Sequence, residues 1–230
     1  MTGPALAVVG TDTGVGKTVV TAGLTGWLRE AGLDARAVKP VQTGHPPDDD
    51  AAVVARTCGT DEAATCGPRL EPPLAPRVAA EREGVALSYE ELLSNCERAL
   101  GDAEVGLLEG VGGLRVPLAG EQEVLDLVAD LGVPALVVAR SGLGTLNHTA
   151  LSVAALRERD VPVCGIVLNE YEGASVAERT NPAELERMTR QTVQTLPGIA
   201  TDRPEKVVTG VRTELDADVF PPAVEKLLDE

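Results

Sequence analysis

An α/β fold, with a mostly parallel sheet and helices on both faces, is predicted by two features of this chain. Short apolar, β-branched runs alternate with segments of helical period, and the first run feeds a glycine-rich turn that opens a helix. The 230 residues are enough for one substantial core and are read as a single domain, 1–230. Aromatic residues make up only 2% of the chain, so that core must be built from Ala, Val and Leu in close-packed aliphatic layers.

Candidate strands are Ala5 to Val9, Ala35 to Lys39, Val105 to Glu109, Pro134 to Ala139 and Pro162 to Leu168. Helices are expected near 17–31, 50–57, 88–100, 123–131, 145–159 and 182–195, with a short last one near 221–228. In the first helix Val20, Leu24, Trp27, Leu28 and Ala31 recur at helical spacing, and Gly32 is suited to end it. The Pro-rich stretch from Pro68 to Pro76 is too short to join domains and reads as a loop or a cover over a site. Residues 201–218 are charged and weakly periodic, and no element is assigned there. In such a sheet, function gathers at the carboxyl ends of the strands.

The turn after the first strand is Gly10-Thr11-Asp12-Thr13-Gly14-Val15-Gly16-Lys17-Thr18. It is a variant phosphate-binding loop: five residues separate Gly10 from Gly16, one more than the strict spacing, and Thr11 takes the usual glycine position. A strand before it and a helix after it supply the context the motif needs, so the fold is read as P-loop NTPase-like. The segment Thr13, Gly14, Val15, Gly16, Lys17, Thr18 and Val19 would wrap a phosphate in backbone N–H groups. Lys17 would add a point charge and the Thr18 hydroxyl would ligate Mg2+. The ligand expected is a nucleoside triphosphate.

Composition excludes several other functions. A net charge of −16 and a pI near 4.5 argue against nucleic-acid binding, which needs a basic surface to displace counterions. There is no apolar run long enough to span a membrane and no secretion-signal pattern, so a cytoplasmic protein without nucleic-acid or membrane partners is expected. Cys58, Cys66, Cys96 and Cys164 lack metal-ligand spacing and read as small, largely buried residues. Lysine occurs only at positions 17, 39, 206 and 226. So acidic and lysine-poor a surface suggests adaptation to high salt, where self-repulsion is screened, and predicts loss of folding at low salt.

That scarcity makes Lys39 conspicuous. It lies in Val38-Lys39-Pro40-Val41-Gln42-Thr43-Gly44, where a turn would hold its ammonium and the Thr43 hydroxyl near a strand end. A neighbouring strand end would bring Lys39 towards the terminal phosphate, where charge develops during transfer. Asp48-Asp49-Asp50 precedes a helix and reads by itself as a cap with favourable carboxylates at the helix dipole. Glu109 closes an apolar strand before Gly110-Val111-Gly112-Gly113, as the second acidic metal ligand of a P-loop protein does, and the glycines would let backbone approach phosphate. Arg140 to His148 leads into a helix whose first exposed N–H groups could bind a carboxylate or phosphate. Asn169 ends another strand and could present its amide to a nucleobase.

Together, Gly10 to Thr18, Lys39-Pro-Val-Gln-Thr-Gly44, Glu109-Gly-Val-Gly-Gly113, Gly142-Leu-Gly-Thr-Leu-Asn-His148 and Val167-Leu-Asn169 resemble the dethiobiotin synthetases in order and spacing. The resemblance spans about residues 5–170 and is carried most specifically by the second and fourth motifs. It implies a homodimeric enzyme of biotin biosynthesis that uses ATP, Mg2+ and carbon dioxide or bicarbonate to close the ureido ring of 7,8-diaminopelargonic acid. Lys17 and Lys39 would then be catalytic. Thr18, Asp50 and Glu109 would hold the metal, with Asp49 as the alternative to Asp50. Thr43 would orient the diamine, and Gly144 to Asn147 would take its carboxylate across the dimer interface. Gly110, Gly112 and Asn169 would border the nucleotide, with Asn169 at the adenine.

Two segments depart from that family's pattern. Arg77 stands where a histidine is common, and Leu196 to Ala200 matches poorly the Gly-x-Ile-Pro segment near the nucleotide. The competing reading is a partner-regulated ATPase of the chromosome-partitioning class. It is disfavoured because Asp12 occupies the place of that class's signature lysine.

Overall fold

A computed structural model of the chain describes residues 3–229. The first half comprises β1 (Ala5–Gly10), α1 (Lys17–Glu30), β2 (Ala35–Lys39), β3 (Gln42–Thr43), α2 (Asp50–Cys58), β4 (Ala64–Cys66), β5 (Arg69–Leu70), α3 (Pro76–Glu83), α4 (Tyr89–Gly101) and β6 (Val105–Gly113). The second half comprises β7 (Pro117–Ala119), β8 (Gln122–Glu123), α5 (Val124–Leu131), β9 (Ala135–Arg140), α6 (Thr145–Glu158), β10 (Val163–Asn169), α7 (Val176–Thr189), β11 (Val193–Leu196), α8 (Pro204–Glu214) and α9 (Pro222–Asp229).

Seven strands form one sheet in the order β11-β10-β9-β1-β6-β2-β4, and every pairing in it is parallel. Because β1 is central, its side chains serve both faces by simple alternation. Ala5, Ala7 and Val9 join a cluster that holds Leu92 and Cys96 of α4, Val128 of α5, Leu156 of α6 and Leu185 of α7. Leu6 and Val8 join another, with Val20, Leu24 and Leu28 of α1, Val211 of α8, and Phe220. The carboxyl ends of β1, β2, β6 and β10 thus converge on one rim.

Several expectations need correction. Glu109 does not close its strand: β6 continues through Gly113, with a register shift against β1 between Val8 and Gly10, so Glu109 is an interior strand residue. Nor are β1 and β2 neighbours, since β6 lies between them. The helix expected at 182–195 runs from Val176 to Thr189, and β11 follows it. Its start is set by a capping box in which Ser175 accepts the Glu178 N–H and Glu178 accepts the Ser175 N–H. Pro182 falls inside the helix rather than at its first turn.

The unassigned 201–218 stretch holds α8, with Pro204 in its first turn. α8 lies against α1 at two glycines. A Cβ at Gly23 would sit 2.3 Å from Val211 Cγ2, and one at Gly26 would sit 2.4 Å from Val208 Cγ2. Leu28, Val207, Val208 and Val211 are all buried there. No helix among the described residues is long and apolar enough to cross a membrane. Cys96 is buried, the other three cysteines are half-buried, and all four are free thiols.

Candidate active site

The loop from Gly10 to Gly16 turns through two left-handed glycines, Gly14 at φ +69 and Gly16 at φ +94, and Gly16 caps α1 without a side-chain bond. No acid lies in the first turn of α1, so its N–H groups and dipole face the loop unopposed. Lys17 folds back under the loop, and its Nζ donates to the Asp12 carbonyl at 3.0 Å. Gly10 leaves room for this, because a Cβ there would lie 2.8 Å from Lys17 Nζ.

A cavity of about 680 Å3 opens beside the loop. Thr13, Gly14, Gly16, Lys17, Thr18 and Val19 border it from the loop and α1, Lys39 and Thr43 from the β2 side, and Asp50, Glu109, Gly112 and Asn169 border it as well. Pro73, Leu74 and Ala75 of the Pro-rich stretch also line it, as does Ile199. The stretch is therefore a wall of the site. Gly110 does not line the cavity; it is buried in β6, and its carbonyl accepts from Lys39 Nζ at 3.1 Å.

At the cavity floor lies a charged cluster. Lys39, 5% exposed, places Nζ 2.9 Å from Glu109 Oε1 and 2.5 Å from Asp50 Oδ2. The same Glu109 oxygen accepts the Thr18 hydroxyl at 2.8 Å. Burial works against the Lys39 ammonium, but Glu109 and Asp50 outweigh it and hold its pKa above the ordinary lysine value. Burial likewise opposes the Asp50 carboxylate, yet Lys39 keeps it below the usual carboxylate range. Glu109 is pushed up by burial and by the charge of Asp50, against the pull of Lys39. Lys17 has no carboxylate in contact, and burial followed by repulsion from Lys39 lowers it to about 8.

Asp50 and Asp49 divide their tasks. Asp49 caps α2 by accepting the Ala52 N–H at 3.0 Å and pairs with Arg69, whereas Asp50 turns inward to Lys39. A hydroxyl and two carboxylates, which bear one net negative charge once Lys39 is counted, form a hard-oxygen donor set of the kind Mg2+ favours. Asn169, 5% exposed, donates its side-chain amide to the Val15 carbonyl at 3.1 Å, beneath the loop. A Cβ at Gly16 would collide with that amide at 2.0 Å.

Gly144, Thr145, Leu146 and Asn147 do not border this cavity. They form the start of α6, capped by Gly144 at φ 90 without a side-chain bond or a first-turn acid. Beside them Leu143 is 94% and Leu151 62% exposed. Arg77 does not line the cavity and donates to the Gly120 carbonyl at 3.0 Å. Sequence reasoning missed Arg140, which donates to the Thr13 carbonyl at 3.1 Å. It also missed Glu170, which lines the cavity in a left-handed conformation at φ 54. Neither bears a motif signal, since each depends on strand order.

Comparison with known proteins extends this picture. A family model described as an AAA domain matches residues 4–200. The chain is 61% identical to an ATP-dependent dethiobiotin synthetase of Haloferax mediterranei, over 96% of this chain and 95% of the relative. It is 44% identical to the ATP-dependent dethiobiotin synthetase of Anaeromyxobacter sp. strain K, over 84% and 89% of the two chains. Among solved structures, it resembles a ParA family ATPase from Chlorobium tepidum with a TM-score of 0.57 at 13% identity, covering 99% of this chain and 97% of that one. It also resembles the septum site-determining protein MinD from Pyrococcus horikoshii with a TM-score of 0.54 at 20% identity, covering 100% and 95%. At such identities the two structures speak for the shared fold alone.

Proposed function

The chain belongs to the ATP-dependent dethiobiotin synthetase family, and from that membership we propose that it converts 7,8-diaminopelargonic acid, carbon dioxide and MgATP into dethiobiotin, ADP and phosphate. One substrate amine adds to carbon dioxide and loses a proton, giving a carbamate. A carbamate oxygen attacks the γ-phosphorus and ADP departs. The second amine then attacks the carbonyl carbon of the mixed anhydride, and phosphate leaves as the ring closes.

The observation that carries this reading is the Lys39 ammonium held on the cavity floor between Asp50 and Glu109. Acyl phosphate formation gathers negative charge on carbamate and phosphoryl oxygens at one point. A cation kept charged there by two carboxylates, and fixed before substrate arrives, lowers the barrier without reorganising. Lys17 supplies the second charge from the loop, and the N–H groups from Thr13 to Val19 hold the phosphates. Thr18, Asp50 and Glu109 are the residues that would hold Mg2+, which when bound neutralises phosphate charge. Thr43, on the β2 side of the cavity, would orient the diamine, and Gly112 and Asn169 would border the nucleotide.

We further assign the start of α6 to the substrate carboxylate, across a homodimer interface. That it does not line its own chain's cavity, its bare N-terminus and the exposed Leu143 and Leu151 support that arrangement. The fold resemblance to ParA and MinD ATPases does not favour a partner-regulated switch here, since the identity to dethiobiotin synthetases spans nearly the whole chain. The deciding experiment is ADP release in high-salt buffer with MgATP and bicarbonate, with and without 7,8-diaminopelargonate. Diamine-dependent release with dethiobiotin among the products is expected; diamine-independent hydrolysis by folded protein would remove the assignment.

A further inference from the structure

The turn between β9 and α6 is held by side chains of α7. Asn181 is 5% exposed, and its amide donates to the Ser141 carbonyl at 2.7 Å and to the Gly142 carbonyl at 3.3 Å. The Gly142 carbonyl also accepts the Thr145 N–H, at 3.3 Å, where α6 begins. Ser141, equally buried, donates its hydroxyl to Glu178 at 2.7 Å and lies 3.2 Å from the Glu170 carbonyl. Glu178 is itself anchored, because its other oxygen accepts the N–H groups of Ala174 at 2.9 Å and Ser175 at 3.2 Å.

This is more than the turn needs in order to connect a strand to a helix. A buried amide that spends its donors on two successive carbonyls specifies one backbone conformation, and its removal takes away the Ser141 carbonyl's bond and leaves the Gly142 carbonyl with the Thr145 N–H. α6 has no side-chain cap and no first-turn acid of its own. The direction in which its first N–H groups face is thus set by the turn, and the turn is set by Asn181 and Ser141.

We propose that Asn181 and Ser141, with Glu178 behind them, are positioning residues for the diamine: they aim the N-terminus of α6 at the substrate carboxylate. This rests on the assignment of Gly144 to Asn147 to that carboxylate. None of the three side chains hydrogen-bonds to the nucleotide loop, and their one link to the cavity lining is the Ser141 bond to the Glu170 carbonyl, so their removal is expected to act on the diamine before the nucleotide. That selectivity separates positioning from a general structural role, which would weaken both.

The test is steady-state kinetics of full-length wild type, Ser141→Ala, Asn181→Ala and Asn147→Asp, each checked by circular dichroism, with diamine and MgATP varied in turn. Asn147→Asp puts a carboxylate into the helix start and must raise the diamine KM by repulsion; no change there overturns the carboxylate assignment and the inference with it. Given that rise, Asn181→Ala is expected to raise the diamine KM about tenfold and Ser141→Ala a few-fold, with the MgATP KM within about twofold. Ser141→Ala removes one hydroxyl and keeps the Asn181 bonds, so it reports even if Asn181→Ala fails to fold. An unchanged diamine KM in folded Ser141→Ala, or equal rises for both substrates, overturns the positioning role while leaving the reaction assignment intact.

Discussion

Lys39 Nζ and Glu109 Oε1 lie 2.9 Å apart with both side chains almost fully buried, although the two residues come from different strands, 70 positions apart. Glu109 lies on β6, between β1, which feeds the Lys17 loop, and β2, which carries Lys39. Removing Lys39 leaves Asp50 and Glu109 facing each other without their shared counter-charge. Lys39→Ala is therefore expected to lower kcat about 10²- to 10³-fold, by analogy with the loss of one preorganised transition-state donor. It should also lower the melting temperature, because breaking a buried pair strands its partners. Dethiobiotin formation by the folded variant at a near-normal rate would take Lys39 out of the catalytic set.

The lysines differ in how pH acts on them. Lys39 stays charged well into alkaline solution, whereas Lys17, lowered to about 8 by burial and by Lys39, is charged below that pH and neutral above it. The charged form is the one that attracts phosphate, so binding is strong on the acid side and lost on the alkaline side. The free enzyme's kcat/KM for MgATP should fall through an alkaline limb near pH 8, roughly tenfold per unit beyond it. Initial rates at low MgATP between pH 6.5 and 9.5 give the profile. A flat profile to pH 9.5 would mean that Lys17 keeps its charge in the free enzyme.

Much of this site was legible in the sequence because its parts are local motifs. The loop from Gly10 to Thr18, the Lys39 turn and Glu109 each announce themselves over a few residues, and the parallel order follows from strand and helix alternation. What stayed hidden depends on non-local packing. That Glu109 lies inside its strand follows from a register shift against β1. That Asn169 supports the Val15 carbonyl follows from the end of β10 reaching the loop after β1 although β9 lies between the two strands. That Asp49 is consumed by the cap of α2 while Asp50 turns to Lys39 depends on where the helix starts relative to β2. α7 starts at Val176, ahead of 182, because the Ser175 and Glu178 capping box opens it there, a signal that the sequence did carry.

The acidic surface leads to a salt prediction. Most ion pairs among the described residues, such as Arg29 with Asp34 and Arg212 with Glu30, are partly exposed and worth little individually. A net charge of −16 then acts mainly as self-repulsion. The screening length shrinks from about 10 Å at 0.1 M salt to about 3 Å at 1 M. The urea midpoint should therefore rise from 0.1 M to 2 M KCl, and an equal or lower midpoint at 2 M would remove the high-salt reading.

The α1 and α8 contact tests the packing that brings Ile199 to the cavity wall. Gly23 allows Val211 to within 2.3 Å of where its Cβ would stand, and the surrounding Leu24, Leu28 and Val211 are buried aliphatic side chains. Gly23→Ala thus overpacks the contact and is expected to cost about 1–3 kcal/mol. For a chain of this length each kcal/mol lowers the melting temperature by about 2–4 °C. The same substitution at Gly101, the last residue of α4, meets nothing within 4 Å and requires no left-handed backbone. Gly101→Ala should therefore be neutral or stabilise by up to about 1 kcal/mol, through a less flexible unfolded chain. Ile199 packs on Gly210 of α8, where a Cβ would stand 2.8 Å from Ile199 Cδ1. A shift of α8 thus reaches the cavity, and Gly23→Ala should raise the MgATP KM as well as lower the melting temperature. If Gly23→Ala and Gly101→Ala melt together, α8 is not seated against α1 as described.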